Sequence, residues 1–379
     1  MAKAEEPEIP GLVENWQLDR PMRYVHEEVR PERQWAMVID LNRCTGCQAC
    51  SLACKTTWTS ARGQEHMWWN NVETKPFGGY PRHWDVKTLK MLDEAETTKV
   101  FDREKGTYKR VLDVKTKETG RTVFEAAQYA IRRGERVAGY LPPEEEWRYP
   151  NLYEDVPAFD SAGSWLFAIP RLCNHCTYPA CLANCPRNAI YKRNADKEGK
   201  PLDGVVLIDQ GRCRAYRKCM DGCPYKKVMY RPKTRKAEMC HGCYPRTEEG
   251  LVPFCVASCP EKAMLHGWLK EGSEDNPVEH LVRQEKIALP LYPQFGTEPN
   301  VYYIPPRHVP VKFLAQMFGN YDVEVIRKAI EKYTQPSKKS QAAHRLFGVT
   351  NRIINSFQVK EKTVEAFDSD GRLLFSGPL

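Results

Sequence analysis

The sequence has 379 residues, of which 41% are hydrophobic and 28% charged, a composition typical of globular proteins. Its net charge of +8 is modest for this length and is spread along the chain, so nucleic-acid binding is not expected. No apolar run approaches the about 20 residues that a membrane-spanning helix needs, and the acidic N-terminus lacks the apolar core of a signal peptide.

The chain begins with a polar, proline-containing segment, residues 1–33, which predicts an arm that lies on a partner. A predicted strand at 35–40 leads into the first cysteine loop, within residues 34–55. This loop has the spacing C-x2-C-x2-C-x3-C of bacterial ferredoxins, in which three cysteines bind one cubane cluster and the fourth binds a second cluster. Its cysteines are Cys44, Cys47, Cys50 and Cys54.

Residues 56–164 form a long insertion that separates the first cysteine loop from the others. It contains the pair Trp68–Trp69 and a charged part at 99–121, and its aromatic residues favour core or interface packing over a cofactor site. We therefore expect this segment to be scaffold.

The remaining cysteines lie within residues 165–270, in three groups that vary the same spacing. In each group the last cysteine precedes a proline, which is the other half of the ferredoxin signature. Strands are predicted beside these groups at 189–193, 204–209 and 263–269. The second group is Cys173, Cys176, Cys181 and Cys185, the third is Cys213, Cys219 and Cys223, and the fourth is Cys240, Cys243, Cys255 and Cys259.

Structural zinc is the alternative for such cysteine groups, because paired C-x2-C motifs also form zinc ribbons, and it would make the chain a structural or interaction protein. Zinc needs neither the third cysteine of a group nor the C-x3-C-P ending, so iron–sulfur clusters are favoured. A Rieske centre is excluded because Cys173-Asn174-His175 has no second C-x-x-H partner. His175 and His241 lie inside cluster loops and are expected beside the clusters or at the surface, not as ligands.

Cross-ligation between loops follows from the ferredoxin spacing, but the spacing does not determine which loops pair. Pairing in sequence order, loop one with two and loop three with four, is one possibility. The matching strands favour nesting, with loop one paired to loop four and loop two to loop three. Nesting predicts an α+β fold with a double ferredoxin-like core, one pseudo-repeat inserted within the other, a long insertion and an extended C-terminal tail.

The third group lacks its middle cysteine and has Tyr216 at that position. Cys213, Cys219 and a donated Cys185 would supply three thiolates, which suits a [3Fe–4S] cluster. The alternative is that the Tyr216 oxygen or a water holds a fourth iron. Loss of a thiolate removes negative charge and should raise the reduction potential, which suits a cluster at one end of a row.

Residues 271–379 contain no cysteine and are predicted to form a proline-rich strap and a tail that wraps a catalytic partner. Four apolar residues at helical spacing predict one helix in this segment, and 364–375 predicts a hairpin. The helix residues are Val323, Ile326, Ile330 and Tyr333.

Four cysteine groups with an aromatic residue in place of one cysteine resemble the iron–sulfur β subunits of the molybdenum-pterin oxidoreductases related to respiratory nitrate reductase. The resemblance spans nearly the whole chain and is most specific at 67–81, 173–193 and 288–309, of which the first and third look most like nitrite oxidoreductase. It implies an electron-transfer subunit without catalytic residues, acting in nitrite oxidation or nitrate reduction. Selenate, chlorate or perchlorate reduction and dimethyl sulfide or ethylbenzene oxidation are the alternatives.

The same resemblance implies three [4Fe–4S] clusters and one [3Fe–4S] cluster. It implies a molybdenum-pterin catalytic α subunit and a haem-containing γ subunit or cytochrome as partners. The complex would lie at the periphery of a respiratory membrane, and export together with the catalytic subunit is favoured over a cytoplasmic side. The implied ligand sets are Cys44, Cys47, Cys50 and Cys259 for cluster 1, nearest the catalytic subunit; Cys54, Cys240, Cys243 and Cys255 for cluster 2; Cys173, Cys176, Cys181 and Cys223 for cluster 3; and Cys185, Cys213 and Cys219 for the three-iron cluster 4, nearest the haem subunit.

Overall fold

The computed structural model describes residues 11–26, 30–75, 99–102, 107–110, 122–124, 165–194 and 202–379. The strands are β1 (Leu12–Asn15), β2 (Arg20–Arg23), β3 (Gln34–Asp40), β4 (Asn71–Lys75), β5 (Lys99–Asp102), β6 (Thr107–Arg110), β7 (Phe167–Arg171), β8 (Ile190–Lys192), β9 (Val206–Ile208), β10 (Val228–Arg231), β11 (Lys236–Met239), β12 (Met264–Leu269), β13 (Leu289–Pro290), β14 (Val301–Ile304), β15 (Ser356–Lys360), β16 (Thr363–Phe367) and β17 (Leu373–Pro378). The helices are α1 (Ala49–Trp58), α2 (Ala180–Ala183), α3 (Lys218–Gly222), α4 (Tyr244–Thr247), α5 (Phe254–Ala257), α6 (Pro277–Glu279), α7 (Val311–Phe318), α8 (Val323–Thr334) and α9 (Lys338–Arg345). A π-helical turn (His280–Gln284) follows α6, and a 3-10 turn (Pro293–Phe295) precedes β14.

A four-stranded sheet in the order β12-β3-β14-β13 forms the centre of the described chain. β12 runs antiparallel to β3, with Met264 opposite Ile39, and β14 runs parallel to β3, with Val301 opposite Met37. Every residue of β3 is buried, as expected for an apolar strand with neighbours on both sides and both faces covered.

Alternate residues of this sheet pack into two different cores, because successive side chains of a strand point to opposite faces. In β3, Trp35, Met37 and Ile39 belong to the core that also contains the cysteine loops. Ala36 and Val38 belong to a second core, formed with α9 and the C-terminal strands. The central sheet therefore lies between the cysteine loops and the C-terminal sheet β15-β16-β17.

Shorter strand pairs hold the cysteine loops against one another. β8 pairs with β9, β10 with β11, and β4 with β7, all antiparallel. Helix α1 of the first loop contacts α5 of the fourth loop, and α2 of the second loop contacts α3 of the third. None of the helices in the described residues has the length and apolar character to cross a membrane.

The strands predicted beside the cysteine loops are confirmed as β3, β8, β9 and β12, with boundaries that differ by one or two residues. The predicted helix is confirmed as α8, in which Ile326 is fully buried and the Tyr333 hydroxyl donates to Asp40 Oδ2 at 3.0 Å. The predicted hairpin is confirmed as β16 and β17, and β15 adds a third strand that the sequence pattern did not indicate.

The C-terminal segment is part of the folded core, which differs from the extended strap that its proline content predicts. β13 and β14 complete the central sheet, and all four residues of β14 are buried. The described part of the N-terminal segment, from residue 11 onward, also packs on this chain: β1 and β2 form a hairpin, and Asn15 Nδ2 donates to Gly296 O at 3.0 Å. Within the predicted insertion, β5 pairs with β6, and the rest of the charged part at 99–121 lies outside the described residues.

Candidate iron–sulfur cluster sites

The first cysteine loop turns sharply before α1, because Gly46 and Gln48 adopt left-handed backbone conformations with φ of +74° and +66°. Such a conformation is open to glycine but strained for other residues. The Gln48 side chain bonds both backbone groups of Val72, donating at 3.0 Å and accepting at 3.3 Å, and so holds β4 beside the loop. Cys50 and Cys54 then lie four residues apart on α1, on one face of the helix.

Thiols of the first and fourth loops lie close together around the N-terminal end of α1. Burial raises the pKa of the Cys44 thiol to about 11, with contributions from Cys50 and Cys259. Burial also raises the pKa of Cys50, and Cys259 raises it further. A neighbouring thiol has this effect because two thiolate charges repel each other. The last cysteine of the chain therefore lies beside the first cysteines.

A second group of thiols surrounds Cys54, the cysteine of α1 that is nearer the C-terminal end of the helix. Burial raises the pKa of Cys54 to about 12, with a contribution from Cys243. Burial raises the pKa of Cys255 well above its usual value, and Cys243, Cys54 and Cys240 raise it further. These four thiols line one cavity together with aromatic side chains. Its aromatic lining includes Trp35, Trp58, Trp69 and Phe254.

The second loop forms a third group with one cysteine of the third loop. Burial raises the pKa of Cys181 well above its usual value, and the thiols of Cys223, Cys173 and Cys176 raise it further. Cys223 therefore lies among the cysteines of the preceding loop, where β8 pairs with β9.

The remaining three thiols form the fourth group. Burial raises the pKa of Cys219 to about 12, with contributions from Cys185 and Cys213. Tyr216, at the position of the missing cysteine, is 61% exposed. The position where a ferredoxin has its middle cysteine therefore faces solvent.

Backbone amides donate hydrogen bonds to the last cysteine of two loops. Ala189 N donates to Cys185 Sγ at 3.3 Å, and Ala263 N donates to Cys259 Sγ at 3.4 Å. Both amides occupy the same position in a C-P-x-x-A sequence, at the start of a strand. Such bonds stabilise negative charge on sulfur, which is one means by which proteins raise cluster potentials.

His175 and His241 were expected beside the clusters or at the surface, and His175 is fully buried. Its Nδ1 accepts from Val206 N at 3.2 Å, and its ring packs edge-on against Trp35 with centroids 4.8 Å apart. Burial lowers its pKa to about 3, and burial lowers that of His241 to about 4. His241 packs edge-on against Trp58 at 4.3 Å. Both imidazoles are therefore neutral packing elements of cluster loops.

A buried group of charged side chains lies between β4, β7 and the third loop. The Arg171 guanidinium donates to Glu73, whose other carboxylate oxygen is 3.7 Å from Lys75 Nζ. Lys227 Nζ donates to the Asn71 side-chain oxygen, and Lys227 is 2% exposed. Burial lowers the pKa of Lys227 to about 7; Arg171 also lowers it, and Glu73 raises it. Sequence reasoning missed these residues, because isolated charges in a chain rich in lysine and arginine carry no spacing signal.

The four groups of thiols fit iron–sulfur clusters, since all 15 cysteines are free, most of them are buried, and each group joins thiols from two loops. In the residues that the structure covers, no three His, Cys, Asp or Glu side chains are grouped for a single metal ion.

Comparison with protein families agrees with this interpretation. A family described as "4Fe-4S dicluster domain" matches residues 164–268, and one described as "4Fe-4S binding domain" matches residues 35–56.

The chain is also similar over most of its length to individual proteins of known function. It is 41% identical over 277 residues to the chlorate reductase subunit beta of Ideonella dechloratans, a match that covers 73% of this chain and 78% of the relative. It is 38% identical over 329 residues to the dimethylsulfide dehydrogenase subunit beta of Rhodovulum sulfidophilum, covering 82% and 93%. It is 40% identical over 310 residues to the respiratory nitrate reductase subunit beta of Haloferax mediterranei, covering 76% and 82%.

Proposed function

This chain belongs to the family of iron–sulfur β subunits of the molybdenum-pterin oxidoreductases, and from this membership we propose that it carries electrons along a row of four clusters. It is a non-catalytic electron-transfer subunit of an oxidoreductase complex. Iron–sulfur clusters supply one-electron transfer when bound. The observation that carries the proposal is that the cysteines meet in four groups, each with thiols from two loops, either the first and the fourth or the second and the third.

Each proposed ligand set combines cysteines from two of these loops. In each set, thiols from both loops raise the pKa of at least one member, and the helices of the two loops are in contact. The pairs β4–β7 and β10–β11 also connect loop one with loop two and loop three with loop four, so the contacts between helices and between thiols, not the strand pairs alone, favour the crossed sets. The three proposed [4Fe–4S] sets are Cys44, Cys47, Cys50 and Cys259; Cys54, Cys240, Cys243 and Cys255; and Cys173, Cys176, Cys181 and Cys223.

The fourth proposed set is Cys185, Cys213 and Cys219, which would hold a [3Fe–4S] cluster. Three thiols around one centre support this type, because a three-iron cluster needs no fourth protein ligand. The exposure of Tyr216 favours a vacant corner over a tyrosine ligand. A four-iron cluster with water at this corner is the alternative.

The four sets are proposed to form a row in the order 1, 2, 3, 4. Burial raises the pKa of Cys240 well above its usual value, and Cys54 and then Cys173 raise it further, so the second and third sets are neighbours. Exposed residues lie at the two ends: Cys47 in the first set and Tyr216 beside the fourth. Electrons would therefore enter and leave at opposite ends of the chain's cysteine core.

We further propose a catalytic molybdenum-pterin α subunit at the first end and a haem-containing γ subunit or cytochrome at the other, in a complex at the periphery of a respiratory membrane. For the partner's reaction we propose nitrite oxidation or nitrate reduction, which the resemblance at 67–81 and 288–309 supports. Reduction of another oxyanion or oxidation of dimethyl sulfide is the second candidate. It is favoured by relatives of 38–41% identity that are named for chlorate and dimethyl sulfide.

Metal analysis of the anaerobically purified complex tests the cluster proposal. Three cubanes and one three-iron cluster give about 15 iron atoms per β chain, with a three-iron electron paramagnetic resonance (EPR) signal in the oxidised protein. Stoichiometric zinc, or about half this iron, would contradict the proposal. Turnover assays of the same complex with nitrite, nitrate, chlorate, selenate and dimethyl sulfide decide the substrate.

A further inference from the structure

Lys227 differs from the other charged residues buried beside it in the nature of its partner. Glu73 binds the Arg171 guanidinium and lies 3.7 Å from Lys75 Nζ, so its carboxylate is shared between two other cations. The Lys227 ammonium donates to the neutral side-chain oxygen of Asn71. An amide oxygen satisfies a hydrogen-bond donor but does not compensate a buried charge.

The electrostatic surroundings of Lys227 include thiols from two different proposed ligand sets. After burial, the ammonium is among the groups that lower the pKa of Cys54, on α1, and it also acts on Cys173, at the start of the second loop. Cys223, from the third loop, acts on Lys227 in return. Cys54 belongs to the proposed second set, whereas Cys173 and Cys223 belong to the third. Lys227 therefore lies within reach of both central cluster sites.

A structural role beside Glu73 accounts only in part for a lysine at this position, because that carboxylate is shared with Arg171 and Lys75. Burying a cation against a neutral partner costs more than burying an apolar side chain of the same length, unless anionic groups lie nearby. Glu73 is one such group, and the cysteine thiolates that would ligate the clusters are others. Lys227 thus places a buried basic group between the two proposed central cluster sites.

We propose that Lys227 raises the reduction potentials of the two central clusters, those of the Cys54 and Cys173 sets. Their potentials then stay high enough for these clusters to accept electrons from the outer clusters. Reduction adds one negative charge to a cluster, and a nearby buried cation stabilises that charge with little screening by solvent. This inference rests on the proposed ligand sets.

The test is an EPR-monitored redox titration of the intact complex carrying Lys227→Met. We expect the two central clusters to become harder to reduce by about tenfold in the equilibrium constant, which is ~59 mV for a one-electron couple. The outer clusters should change much less. The matched control is Lys55→Met. Lys55 also acts electrostatically on Cys54, but its ammonium is bonded to backbone carbonyls of the 64–67 loop and is partly exposed, so its removal should shift the potentials far less.

Two further variants separate the effect of the Lys227 charge on the potentials from any effect of the substitution on folding. Lys227→Arg retains the cation and should keep potentials near those of the unmodified complex. Asn71→Asp retains the lysine but neutralises it with an adjacent carboxylate, and it should lower both central potentials. If Lys227→Met fails to bind its central clusters, Asn71→Asp decides the question.

Unchanged central potentials in Asn71→Asp, or an equal shift of all four clusters in Lys227→Met, would overturn the role of Lys227. Those results would leave the cluster assignment intact, because iron content and the number of EPR signals would be unchanged. Failure of the cluster assignment has a different signature: the unmodified complex would hold fewer than four clusters.

Discussion

Replacing Cys259 with alanine tests the step that goes furthest beyond local spacing, the pairing of the first loop with the fourth. Cys259 lies beside Cys44 and Cys50, and its loop is held there by the pairing of β12 with β3. Cys259→Ala and Cys44→Ala should therefore damage the same centre. Each should remove one cubane, so that iron falls from about 15 to about 11 atoms per chain.

The three-iron signal decides between nested and sequential pairing. Nesting predicts that Cys259→Ala leaves this signal intact, whereas Cys185→Ala removes it, lowers iron by about three atoms and spares the first cluster. Sequential pairing predicts instead that Cys54→Ala disturbs the centre built by Cys173 and its neighbours in the second loop.

The assay is iron analysis together with EPR of oxidised and reduced complexes. Only variants that still co-purify with the catalytic partner are compared, because the binding energy of a cluster is part of the folding energy. Ser258→Ala is the matched control: this residue precedes Cys259, and its hydroxyl donates to Phe254 O at 2.7 Å without joining a thiol group, so iron should not change. Loss of the three-iron signal in Cys259→Ala would refute nesting.

Tyr216→Cys restores the ferredoxin spacing and should convert the three-iron cluster to a cubane of lower potential, seen as loss of the three-iron EPR signal; persistence of that signal would count against the ligand set. Gly242→Ala should lower the free energy of unfolding by about 1–2 kcal/mol, because alanine is strained in the left-handed backbone conformation (φ +65°). A close contact adds to this loss, because the new Cβ would lie 3.1 Å from a Val205 methyl. Gly272→Ala is the control, because Gly272 has a similar φ but open space around its Cβ position. A larger loss of melting temperature in Gly242→Ala than in Gly272→Ala therefore measures the effect of packing beyond that of backbone strain. Glu73→Gln leaves buried cations without their carboxylate and should cost about 3–5 kcal/mol in thermal unfolding, against about 0–1 kcal/mol for the exposed control Glu324→Gln, whose partner Arg327 is also exposed; equal effects would contradict a buried network.

The cysteine spacing predicted iron–sulfur binding, which the family matches confirm, because cluster chemistry imposes this spacing locally. Neighbouring ligands within one ferredoxin loop are separated by two or three residues, so this part of the pattern is visible without the fold. The strands beside the loops carried a second local signal, the β-branched and apolar runs that became β3, β9 and β12. Each of these features is readable from about ten consecutive residues.

The parts that sequence reasoning missed depend on contacts between distant residues. β14 pairs in parallel with β3, although 301–304 and 34–40 lie near opposite ends of the chain, and a proline-rich context suggested a strap. The Lys227–Asn71 contact joins the third loop to β4 in the same way. Neither contact leaves a periodic or spaced pattern, so neither could be inferred without the fold.

The small size of the cluster helices explains why the central sheet and the ligand sets depend on each other. The helices that carry or adjoin cysteines in the last three loops, α2 to α5, have only four or five residues each. Helices of this length are not stable alone in water. The β3–β12 and β8–β9 pairs bring the loops together, and cross-ligation would then fix them as a metal crosslink does, because it removes conformational freedom from the unfolded chain. An electron-transfer site built in this way is rigid for the same reason that it is folded: the ligands that hold each cluster also close the chain around it.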